Sequence, residues 1–105
     1  MGFKFRWCKE ARDEYERALQ RPDAPFIKAA VLSAWERLRT GRRLDLARAH
    51  LPIRSAPAQA ESEWSMLYAG DDGDYVGLLF IECAVDELPQ SAYELAKERL
   101  ANLQF

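Results

Sequence analysis

Leu78 to Ile81 is an uninterrupted apolar run of four residues, as long as any in the chain, set inside a wider apolar stretch from Tyr75 to Cys83. Four residues fall far short of the roughly 20 that a helix needs to span a bilayer. A nearly continuous apolar segment of strand length, Val76 to Ile81, instead reads as a central β-strand covered on both faces. It commits the chain to a sheet whose middle is shielded from water.

The flanking segments supply the rest of that sheet and its cover. Trp64, Met66 and Tyr68 alternate with Glu63, Ser65 and Leu67, a period of two that predicts a second strand. Between the two runs lies Gly70-Asp71-Asp72-Gly73-Asp74, and Asp-Gly in such a place signals a hairpin. Phe3, Phe5 and Trp7 alternate with Lys4 and Arg6, predicting a further strand at the start. From Cys8 the period lengthens: Ala11, Tyr15, Ala18 and Leu19 recur at helical spacing. Arg21-Pro22-Asp23-Ala24-Pro25 stops that helix, and Pro25 suits the first turn of the next. Phe26, Ile27, Ala30, Val31, Ala34, Trp35 and Leu38 form the second stripe, with Gly41 as its stop. The two helices read as an antiparallel hairpin.

Residues 42–51 are ambiguous, since Leu44, Ala47 and Leu51 fit one face of a short helix. Pro52 to Ser62, rich in Ala, Ser and Pro, reads as a loop. A closing helix carries Ala92, Ala96, Leu100 and Leu103. The expectation is an α+β fold over residues 1–105 as one domain: a small antiparallel sheet with an N-terminal helical hairpin and a C-terminal helix packed on it.

Composition narrows the function classes. Of 105 residues, 49% are apolar and 30% charged, which fits a folded globular chain. The start Met1-Gly2-Phe3-Lys4-Phe5-Arg6 has no secretory apolar core. Cys8 and Cys83 are the two cysteines, without CxxC spacing, and read as reduced structural thiols of a cytoplasmic protein. His50 is the single histidine, so a metal site lacks ligands and no cofactor motif is present. Asp71-Asp72-Gly73-Asp74 departs from a calcium loop, because Val76 stands where glycine is required.

Charge is segregated along the chain. Residues 1–58 hold 13 Lys/Arg and 7 Asp/Glu, whereas residues 59–105 hold 2 and 10. Arg37, Arg39, Arg42, Arg43, Arg48, His50 and Arg54 fall within eighteen residues, opposed only by Asp45. Arginine donates paired hydrogen bonds that match phosphate. The stretch therefore reads as a nucleic-acid-binding surface, as a contact for an acidic protein, or as a solvated helix end. His50, flanked by Arg48 and Arg54, has a suitable pKa for general acid–base work.

Two segments carry a family resemblance. Trp64-Ser65-Met66-Leu67-Tyr68 is similar to the strand Tyr-Arg-Val-Leu-Tyr of the RelE/ParE toxin superfamily. Leu78 to Ile81, followed by Leu88-Pro89 and the helix with Glu94, Ala96 and Arg99, is similar to that family's last strand and closing helix. The chain thus resembles a divergent member of the HigB-like or phage-derived branch. The resemblance implies a compact sheet with helices on one side. It also implies an antitoxin or other protein partner, action on RNA, the ribosome or gyrase, and metal-free mRNA cleavage without cofactors. On that reading His50, Arg54 and Tyr68 are the candidate catalytic residues, and Arg37, Arg39, Arg42, Arg43 and Arg48 bind nucleic acid. The sequence departs where the family strand carries a phosphate-facing arginine, here Ser65, and where a basic run follows the last strand, here Glu82 to Glu87. Those departures point to a degenerate toxin or to a non-catalytic protein-binding module using a charged face.

Overall fold

In the computed structural model, which describes residues 4–37, 44–55, 60–71 and 74–105, the apolar segment is the most enclosed strand of the sheet. The elements run β1 (Lys4–Trp7), α1 (Lys9–Ala18), α2 (Ala24–Arg37), β2 (Leu44–Ser55), β3 (Ala60–Asp71), β4 (Asp74–Ile81), a 3-10 turn (Val85–Glu87) and α3 (Gln90–Ala101). The fold is α+β, as the periodicities require. Strand order is β1-β4-β3-β2. Tyr75 to Phe80 are all buried, and two strands flank β4. β3 and β4 form the expected hairpin, with Asp71 paired to Asp74 across a two-residue loop that lies outside the described residues.

The sheet is mixed rather than wholly antiparallel. β1 pairs with β4 in parallel, from Lys4 opposite Asp74 to Trp7 opposite Gly77. The first strand reaches β4 only after the chain has passed through two helices and two further strands, so the alternation inside β1 carried no signal of its direction.

Residues 44–55 are a second difference, the sequence leaving 44–51 ambiguous with a short helix as one fit and reading Pro52 onward as a loop. They form one long edge strand paired antiparallel to β3 from Leu44–Gly70 to Ser55–Ala60. Ala47, Ala49 and Leu51 pack toward α2, and this period of two overrides the helical spacing of Leu44, Ala47 and Leu51. Pro52 is tolerated because an edge strand has one side with no ladder to complete.

Helices cover both faces of this sheet, not one. On the first face α2 and the second half of α1 bury Ile27, Val31, Ala34 and Ala18 against Leu51, Trp64, Met66, Tyr68, Tyr75 and Phe80. The aromatics that the sequence placed on apolar stripes meet here. Phe5 stacks on Trp35 at 4.5 Å, Trp7 on Tyr15 at 5.0 Å, and Trp64 on Phe80 at 4.8 Å. On the second face α3 buries Ala92 and Ala96 against Leu67, Ala69, Val76, Leu78 and Leu79, with Cys8 and Ala11 alongside.

One irregularity lets β4 serve both faces. Leu67 pairs with Leu79 but Tyr68 pairs with Gly77, so Leu78 is an extra residue in β4. Such a bulge resets the alternation. Leu78 and Leu79 therefore both enter the α3 side, and Phe80 returns to the α2 side.

Past Trp7, β1 no longer covers the edge of β4, and α1 and α3 take over. The Cys8 amide donates to the Gly77 carbonyl at 2.9 Å, and the Arg99 Nη1 donates to the Leu78 carbonyl at 2.9 Å. The Phe80 amide donates to Glu14 Oε1 at 3.2 Å. Arg99 and Glu14 also grip each other in a two-pronged ion pair, Nη1–Oε1 at 2.9 Å and Nη2–Oε2 at 3.1 Å. Burial alone would lower the pKa of the Arg99 guanidinium, but the Glu14 carboxylate outweighs it and the group is held charged.

Candidate functional site

Positions 48, 50 and 54 stand on the same side of the pleat of β2, opposite the side that Ala47, Ala49 and Leu51 present to α2. Their register partners on β3 are Leu67, Ser65 and Glu61. Arg48, His50 and Arg54 are thereby brought together on one edge strand. The Arg48 side chain is exposed, and its Nη1 donates to the Tyr93 hydroxyl of α3 at 3.1 Å, which fixes the α3 side of the sheet as its location. Arg37 closes α2 and is exposed. Arg39, Arg42 and Arg43 lie outside the described residues.

Tyr68 does not join them. It pairs with Ala47 in register, so it belongs to the α2 face, where its side chain is 7% exposed and its ring meets Tyr75 at 6.3 Å. Burial raises the pKa of its phenol, making it a weaker proton donor at neutral pH. Tyr68 and the exposed Arg48 thus lie on opposite faces of the sheet.

Ser65 has a definite task. It is fully buried, and its hydroxyl donates to the Cys83 carbonyl at 2.6 Å. That bond ties the segment after β4 across β3, and the 3-10 turn that follows, Val85–Glu87, packs against β2 and β3. Asp86 and Glu87 are exposed on that turn. An acidic segment therefore stands beside the strand that carries Arg48 and His50. The sequence showed a serine here, but not that its hydroxyl anchors the segment leading to the acidic turn.

Charge complementarity between the two halves recurs at Glu82. Arg21 Nη1 meets Glu82 Oε1 at 3.1 Å, and Arg21 Nε meets Asp23 Oδ1 at 3.1 Å. Hydrogen bonds to Asp23 and Glu82 raise the Arg21 pKa. The same guanidinium lies 5.3 Å from the Trp64 ring centroid. These groups border a hollow of about 330 Å³ that opens broadly to solvent, unlike the enclosed clefts in which small substrates are held.

Among the described residues, no three His, Cys, Asp or Glu side chains are grouped to hold a metal ion. Both cysteines are free thiols, Cys8 fully buried and Cys83 half-buried. Burial pushes the Cys8 pKa above the usual thiol range, so it is a poor nucleophile. Among the described residues no helix is long and apolar enough to cross a membrane. No protein-family model matches this chain, and no curated protein or solved structure matches it either.

Proposed function

We propose that this chain is a RelE/ParE-like protein that binds without cutting, a degenerate relative of the toxins whose working surface is the charged α3 side of β2. Its partner on this reading is a protein, with a cytoplasmic antitoxin-like chain as the expected kind. The observation that carries the reading is the separation of Tyr68 from Arg48 by the thickness of the sheet. Cleavage of RNA without a metal requires an acid, a base and cationic groups converging on one phosphate. Here the cationic strand has neighbours of opposite sign at Glu61, Asp86 and Glu87, and these repel phosphate. What supports the family reading is the order of elements, a strand, two helices, three strands and a closing helix.

A mixed surface of this kind suits a partner protein better than a polyanion, because a protein can present both signs in register. The test is fluorescence anisotropy with two labelled probes, an RNA oligonucleotide and a mixed-charge peptide of Glu and Lys, each titrated over a range of salt. RNA binding is expected to be weak, and to change little when Arg48 and Arg54 are replaced by Ala. Peptide binding should be the tighter of the two, and the same replacements should abolish it. RNA binding whose salt slope shrinks by about one for each arginine removed would overturn the protein-partner reading.

A further inference from the structure

The solvent side of α2 differs from that of α1. The exposed residues of α1 are charged, among them Arg12, Asp13, Glu16 and Arg17. On α2, Ile27, Val31 and Ala34 face the core, and the opposite face mixes apolar residues with the charged Lys28, Glu36 and Arg37. It carries Phe26 and Leu32, which are 37% and 47% exposed, with the small residues Ala29 and Ser33 between and beside them. Phe26 and Leu32 leave apolar surface exposed among charged residues, the arrangement that marks an interaction site.

The charges on this face indicate what covers it. Lys28 and Glu36 are exposed, and each stands four residues from Leu32, one on either side. Four residues is one helical turn, so the three share a stripe with the apolar group in the middle. That arrangement is self-complementary under a two-fold rotation. An antiparallel copy centred on Leu32 sets Leu32 against its symmetry mate and Lys28 against Glu36 of the other copy, twice. A parallel copy would set like charge against like.

We propose that two copies of this chain associate through the outer faces of α2, antiparallel about a two-fold axis at Leu32. The interface is isologous, so each favourable contact occurs twice. Ala29 and Ser33 allow the helix axes to approach closely, since interaxial distance follows side-chain size. A 14-residue helix is about 21 Å long, and one helix pair covers less than the roughly 800 Å² per partner of a standard interface. The dimer is therefore weak and forms as concentration rises. The inference does not depend on the proposed function, because α2 and the α3 side of β2 lie on opposite faces of the sheet.

Sedimentation velocity of the full chain from micromolar to millimolar concentration tests it. A concentration-dependent shift from monomer to dimer is expected, and Leu32→Asp should remove it. Lys28→Glu alone and Glu36→Lys alone each bring two pairs of like charges together, and each should weaken association about tenfold. The two replacements combined restore both pairs with reversed sign, and should return the dissociation constant to within about threefold of the parent. A chain that stays monomeric throughout, or a combined variant that dissociates as readily as the single ones, would overturn the proposal.

Discussion

Replacing Arg99 with alanine is expected to destabilise the fold by about 1.5–3 kcal/mol, the cost of losing charged hydrogen bonds and stranding one partner of a partly buried ion pair. The Arg99 and Glu14 side chains are 12% and 19% exposed, so neither charge is well hydrated when alone. Arg99 also holds the Leu78 carbonyl at the bulge in β4, and Glu14 holds the Phe80 amide. Loss of Arg99 leaves a half-buried carboxylate and an unpaired backbone acceptor at the same place, which puts the expected cost toward the upper end. Urea unfolding of Arg99→Ala, Glu14→Ala and the double variant would measure it. The double variant should cost less than the sum of the two single ones, because the surviving charge is then gone. With typical domain stabilities of about 5–15 kcal/mol, either single change removes a large share of the total. A loss under about 1 kcal/mol for Arg99→Ala would mean that the pair is solvated like a surface bridge.

Gly77→Ala is expected to cost about 1–3 kcal/mol through overpacking. Gly77 sits opposite Trp7 in the parallel pairing, and the Trp7 ring lies directly over it. A methyl group there would meet Cε3 of Trp7, with Cζ3 at 2.7 Å and Cε1 of Phe5 at 3.1 Å. Trp7 has little room to withdraw, being in ring contact with Phe5, Tyr15, Trp35 and Phe80. The sign of the effect is informative. At a strand position with free space, exchanging glycine for alanine gains about 0.4–1 kcal/mol by restricting the unfolded chain. A stabilised Gly77→Ala variant would therefore show that the Trp7 ring does not occupy the place described.

Local periodicity made six of the seven regular elements legible. The alternation around Phe5 and Trp7, the stripes through Ala11–Ala18 and Ile27–Ala34, and the apolar run of β4 each point one way. β2 was not legible, for a physical reason: Leu44, Ala47 and Leu51 fit a helical spacing, and Pro52 with the Ala, Ser and Pro that follow weakens any strand signal. What holds residues 44–55 extended is their pairing with β3, a non-local interaction that propensity does not encode. The parallel direction of β1 was hidden for the same reason. The candidate site shows a similar division. Its arginines were visible as a composition, whereas the placing of Tyr68 on the other face follows from register. The Glu14–Arg99 pair joins residues 85 positions apart and left no trace in local pattern.

On the proposed function, the chain binds a partner and does not cut RNA. The most direct measurement is incubation of the purified protein with RNA, alone and with translating ribosomes, beside a His50→Ala variant. No cleavage above the background of that variant is expected, because Tyr68 is buried on the α2 face of the sheet, opposite the face of Arg48, and carboxylates on the 3-10 turn stand beside the cationic strand. Robust cleavage by the parent chain that disappears in His50→Ala would contradict it, and would assign β2 to an active site.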